Sequence, residues 1–214
     1  MKKMMFNDKY GLTQAVLDGR KTMTRRIVPQ VVLDKVPEYQ EEYYAATLST
    51  ISVEDAIFNM IQNERMFGNI PRIGETIAIA QSYETLANGG YLDKMLDGPL
   101  SMKQEYTGAG YKNKMFVKPE LMPHAILMTS LCVEHLQDIS DEDCLREGVR
   151  KWKDADPTLI ERYPQGGELY EIAYSWDGFK TPRDAFAALI DGVSKKGTWD
   201  SNPLVLAYEL KLVK

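Results

Sequence analysis

With 214 residues, 44% of them hydrophobic, the chain is long enough for one substantial core and short for two large domains, so one domain with insertions is expected. A net charge of −5 argues against tight, non-specific binding along a phosphate backbone, which shows as a basic excess. Two cysteines (Cys132, Cys144) without a CxxC pair, and two histidines (His124, His135) without ligand spacing, argue against a structural zinc. Near the N-terminus, Met4-Met5-Phe6 reads as a short strand, and residues 1–11 lack the apolar run of a signal peptide. No run reaches the length of a membrane span. The thiols are accordingly read as reduced and mostly buried in a cytoplasmic protein, with no cofactor expected.

Leu12, Ala15 and Val16 stand at helical spacing, and Gly19 supplies a stop. Immediately after it, in "GRKTMTRR", Arg20, Lys21, Arg25 and Arg26 crowd around Thr22 and Thr24, and "TMTRRIV" reads as extended up to Pro29. From Val31 to about Ile70 the texture is helical, with Ser52 and Asp55 forming an N-terminal cap signal. A turn at Arg72-Ile73-Gly74 leads into a strand over "TIAIAQSY". Residues 86–113 are glycine-rich with little periodicity and read as a long loop. "HAILMTSLCVEHL" is a strand that runs into a short helix capped by Ser140 and ended at Gly148. Tyr163, Tyr170, Tyr174 and Trp176 then mark an aromatic-rich irregular segment, suited either to burial or to base stacking. Thr181, Pro182 and Asp184 start a helix for which Gly192 is the expected stop. The terminal strand should set Leu204, Leu206, Tyr208, Leu210 and Leu212 on one face. Non-repeating strands separated by helices suggest a mixed α+β fold around a small barrel.

Four of these segments, in this order, resemble the ASCH family, whose domains share a PUA-like β-barrel. They are "LDGRKTMTRR", close to the family's Gly-x-Lys-Thr-x-Thr-x-Arg motif; "IGETIAI"; "KMFVKPELMPHAILMTSLCVEHLQDISDEDCLREGV"; and "GTWDSNPLVLAYELKLV". The blocks cover under half of the chain and are closest to those of the larger ASCH proteins. The resemblance implies a single PUA-like domain over 1–214, with insertions at about 31–69 and 86–113 that match none of the blocks. It also implies a cleft for a nucleoside or an RNA-derived ligand. Some small ASCH proteins hydrolyse the acyl group from N4-acylcytidine. By their motif, Lys21, Thr24 and Glu147 become the catalytic set, with Arg20, Arg26 and Trp199 as ligand contacts. PUA-like domains that bind RNA without catalysis supply the alternative.

The residue types suit amide hydrolysis, which needs a nucleophile, a base, a stabiliser for the oxyanion and an acid for the leaving amine. Thr24 offers a hydroxyl. Lys21 serves as a base only when neutral, so burial or neighbouring cations must lower its pKa. A nearby Glu147 opposes that shift. In a straight strand Lys21 and Thr24 would face opposite sides, so they converge only if Lys21 still belongs to the turn after Gly19. Taken singly, each residue also has an ordinary structural reading: an exposed strand start, a solvated helix-end carboxylate, and core packing for Trp199.

Overall fold

A computed structural model describes residues 1–89, 109–152, 169–172 and 178–213. The strands are β1 (Lys3–Met4), β2 (Met23–Ile27), β3 (Thr76–Ile79), β4 (Ala125–His135), β5 (Arg150–Lys151), β6 (Tyr170–Glu171) and β7 (Leu204–Leu212). Five of them form a mixed sheet in the order β1-β3-β4-β7-β2, and β5 pairs with β6 separately. The β1–β3 pair is parallel; the other pairs of the main sheet are antiparallel. Among the described residues β1 and β2 are each paired along one edge only, so the ladder stays open.

The three strands expected in the middle and at the end of the chain are thus neighbours in one α+β fold. Their details differ from the sequence reading. The inner strand β7 is buried from Val205 through Tyr208, on both faces, as inner strands covered on both sides are. The expected strand at 76–83 stops at Ile79, because the Ser82 hydroxyl accepts the Thr85 amide at 3.1 Å and starts a helix instead. The helices are α1 (Leu12–Leu17), α2 (Gln30–Leu33), α3 (Val36–Thr47), α4 (Val53–Phe58), α5 (Tyr83–Asn88), α6 (Asp141–Arg146), α7 (Pro182–Val193) and α8 (Thr198–Ser201). A π-helical turn, Asn59–Asn63, continues α4.

The segment 31–69 is integral to the core. Val32, Val36, Ile57, Met60 and Ile61 share one apolar cluster with Ile79 and Ile126 of the sheet. Ile57, Met60 and Ile61 are fully buried. Burial of each such side chain stabilises by roughly 1.5–3 kcal/mol, too much for a surface appendage. Of the second expected insertion, residues 90–108 lie outside the described residues, as do Tyr163, Tyr174 and Trp176. The thiols differ from each other: Cys144 is buried and burial pushes it up to about 12, whereas Cys132 is exposed on β4.

Gly192 does not end α7, which runs through it to Val193. A Cβ at Gly192 would come within 2.2 Å of the Tyr10 hydroxyl and 2.8 Å of Tyr10 Cζ. Its role is therefore close approach. Gly192→Ala should destabilise the protein by about 1–3 kcal/mol through overpacking. In a Tyr10→Ala background the same change should stabilise by about 1 kcal/mol, the usual helix gain from glycine to alanine. Denaturant unfolding of the four proteins measures both.

Candidate active site

Helix α1 ends at a left-handed Gly19 (φ 72°), and the amides of Arg20 and Lys21 both donate to the Ala15 carbonyl at 2.9 Å. Lys21 therefore stays in the turn, and β2 begins at Met23. That removes the alternation which would have set Lys21 and Thr24 on opposite faces. On the other side, the Ser140 hydroxyl accepts the Asp143 amide at 3.1 Å and opens α6, whose last turn presents Glu147. The Thr22 amide donates to the Arg146 carbonyl at 2.9 Å and ties the two segments together. Gly148 follows at φ 110°, where a Cβ would sit 3.0 Å from Leu12 Cδ2 and 3.8 Å from Lys21 Cδ. The left-handed backbone and the close Leu12 side chain favour glycine here, while the distance to Lys21 is ordinary contact.

Lys21 Nζ donates to Glu147 Oε2 at 2.5 Å and to the Glu147 carbonyl at 2.7 Å. Lys21 is 3% exposed and Glu147 4%. Arg25, also buried, reaches three carboxylates: Nε to Glu134 Oε1 at 2.8 Å, Nη2 to Asp143 Oδ2 at 3.2 Å, and Nη1 to Glu147 Oε1 at 3.3 Å. Arg146 extends the network to Asp143 at 3.2 Å and to Glu209 at 2.8 Å. Register explains the reach of Arg25. It lies opposite Ala207 of β7, which lies opposite Cys132 of β4, and Glu134 is two residues along on the same face. Two small neighbours leave the guanidinium free to span the sheet.

Burial holds Lys21 below the ordinary lysine pKa, outweighing the attraction of Glu147; Arg26 and Arg25 push the same way as burial. For Arg25 burial opposes the charge, but Glu147 and Glu134 outweigh it and raise the pKa. Burial lowers Arg26.

A cavity of about 260 Å³ opens between β2 and the chain that follows β1. Lys21, Thr24, Arg25, Arg26 and Glu147 form its polar wall; Phe186, Leu189, Ile190 and Val193 of α7 face them. Thr24 lines it and is 4% exposed. Arg26 crosses the seam, donating from Nη2 to the Met5 carbonyl at 2.6 Å.

Lys21, Thr24, Arg26 and Glu147 thus meet at one concavity. Arg20 and Trp199 do not line it. Arg20 is exposed and pairs with Asp18 at 3.0 Å, because the turn that aims Lys21 inward aims its predecessor outward. Trp199 packs edge-on against Phe186 at 6.1 Å, with the Arg183 guanidinium 5.4 Å from its ring, and so supports the apolar wall from behind. Sequence reasoning missed the roles of Arg25, Glu134 and Asp143. A usable signal was the i, i+4 pair Asp143 and Glu147, two carboxylates on one helical face that call for a cation between them.

No family model, curated relative or solved structure matches this chain. Among the described residues no helix is long and apolar enough to cross a membrane. No group of three or more His, Cys, Asp or Glu side chains is placed among them to hold a metal ion.

Two outcomes follow from this geometry. Arg25→Met strands Glu134, takes one of two cations from Asp143 and from Glu147, and should destabilise by about 3–5 kcal/mol, the cost of breaking a buried pair. Arg20→Ala should change stability by no more than about 1 kcal/mol, as exposed pairs do. Chemical denaturation distinguishes them. The second outcome concerns pH. Between the lowered Lys21 value and lysine's ordinary 10.5, the unfolded chain binds more protons, so stability rises with pH there. Unfolding at pH 7 to 10 should show wild type gaining on Lys21→Met; a pH-independent difference would mean the lysine is not perturbed.

Proposed function

We propose that the seam cavity binds a nucleoside-sized ligand and hydrolyses an amide of the N4-acylcytidine type, on a PUA-like barrel of the ASCH kind. The observation that carries the reading is the gathering of Lys21, Thr24, Arg26 and Glu147 on the wall of one cavity. Its volume of about 260 Å³ falls just below the span of drug-sized ligand sites, about 300 to 1,000 Å³. That scale favours a single nucleoside over a polynucleotide, as does the net charge of −5.

The chemistry starts from the Lys21–Glu147 contact. Moving the proton from Nζ to Oε2 across 2.5 Å yields a neutral amine and a carboxylic acid. Desolvation favours this neutral pair over two charges. Arg25 opposes the transfer through Glu147 Oε1, but its charge is shared with Glu134 and Asp143. Neutral Lys21 then takes the Thr24 proton as the hydroxyl oxygen attacks the acyl carbon. Lys21, cationic once it holds that proton, stabilises the developing oxyanion from the same wall. Glu147 protonates the leaving exocyclic amine, the carbon–nitrogen bond breaks, and an acyl ester remains on Thr24. Lys21 then returns its proton to Glu147; neutral again, it takes a proton from the water that attacks the ester and passes it to the departing Thr24 oxygen, releasing the carboxylic acid.

Release of cytidine from N4-acetylcytidine tests the reading. Thr24→Val should abolish turnover with the fold retained. Lys21→Arg should lower it by roughly 10²–10⁴-fold, since a guanidinium does not deprotonate to act as a base. If wild type hydrolyses no N4-acylcytidine while binding a short single-stranded RNA, and Lys21→Arg keeps that affinity, the non-catalytic RNA module replaces the hydrolase.

A further inference from the structure

Among the described residues, Arg26 is the cation of this site without a counter-ion. Glu147 is the one carboxylate on the cavity wall, and Lys21 and Arg25 already hold both of its oxygens. Glu134 and Asp143 are engaged by Arg25 and do not line the cavity. Across the seam, Asp8 is taken by Lys114 at 2.8 Å and by the Thr13 hydroxyl at 2.5 Å. Arg26 makes no ion pair among the described residues. Its guanidinium is fixed nonetheless, by the bond from Nη2 to the Met5 carbonyl and by the Phe6 ring 5.7 Å away. The Nε donor is buried and has no partner among the described residues. Buried donors are ordinarily satisfied, and this orphan belongs to a side chain that lines the cavity.

Resting on the reading of this cavity as a ligand site, we propose that its ligand carries an anionic oxygen group, a carboxylate or a phosphate monoester, received by Arg26. A planar guanidinium matches the oxygens of either group, and charge-assisted bonds of this type are the strong ones. A neutral ligand would shut Arg26 against the apolar side chains of Phe186, Leu189 and Ile190 with its charge uncompensated. Two attachments present the same chemistry: a carboxylate at the end of the acyl arm, or a phosphate on the sugar.

The experiment compares three substrates: N4-acetylcytidine, its 5′-monophosphate and N4-succinylcytidine. The readout is the ratio of kcat/KM for each anionic substrate to that for the neutral one, within each protein. In wild type one anionic substrate should lead by roughly ten- to hundred-fold, the scale of a hydrogen bond to a charged group; which one leads identifies the attachment. In Arg26→Gln the ratio should fall towards one. Arg26→Lys, which keeps the charge but not the planar donors, should fall between, and serves if the glutamine variant does not fold. Ratios near one in wild type overturn the proposal and leave the hydrolase reading intact. If none of the three turns over, thermal shifts with the same three compounds decide. A preference for an anionic compound that Arg26→Gln loses sustains the anion site and removes the hydrolase reading; no preference removes both.

Discussion

Two cations buried beside an edge strand set the terms for the whole structure. Lys21 and Arg25 are almost fully removed from water, and isolated charges in that position cost several kcal/mol each. Compensation must come from other parts of the chain. Glu147 and Asp143 come from α6, and Glu134 comes from β4. Three elements distant in sequence are therefore held in one arrangement by the need to neutralise β2 and its preceding turn. An apolar cluster of the same volume would hold them as firmly. What the ionic version adds is directed, chemically active groups at the rim of a cavity.

The sheet supplies the setting. β2 is bound to β7 on one side, and β1 to β3, so among the described residues the two edges of an open sheet remain unpaired. Unprotected edges invite pairing with other chains, and short or charged edge strands prevent it. Here β1 has two residues and β2 carries Arg25 and Arg26. The seam between them is crossed by one side chain, Arg26, and faced by the apolar stripe of α7. A polar wall on the strand and an apolar wall on the helix follow from those two decisions. The cavity is what remains when the edges approach without pairing.

Local punctuation places the chemistry with few residues. Gly19 keeps Lys21 in a turn, Ser140 fixes the start of α6, and Gly148 ends it against Lys21. The close contact of Gly192 with Tyr10 belongs to the same class of detail. There the sequence rule that a late glycine ends a helix gave way to the packing of two elements far apart in the chain.

By itself the sequence determined the elements governed by short-range physics. The caps at Ser52, Ser140 and Thr181 stand where the side-chain oxygens can reach the first free amides of their helices. The long β4 and β7 follow from their apolar runs, and the turn at Gly19 follows from its freedom at positive φ. The same local reasoning gave the condition under which Lys21 and Thr24 converge. Tertiary structure alone decided the rest. That segment 31–69 is core depends on which face of the sheet it covers. That Arg25 spans to β4 depends on strand register, set by partners more than 100 residues downstream. The free Nε of Arg26 could not be read from spacing either. Whether a donor is satisfied depends on every group that folding brings within about 3 Å of it, and that neighbourhood is assembled from distant parts of the chain.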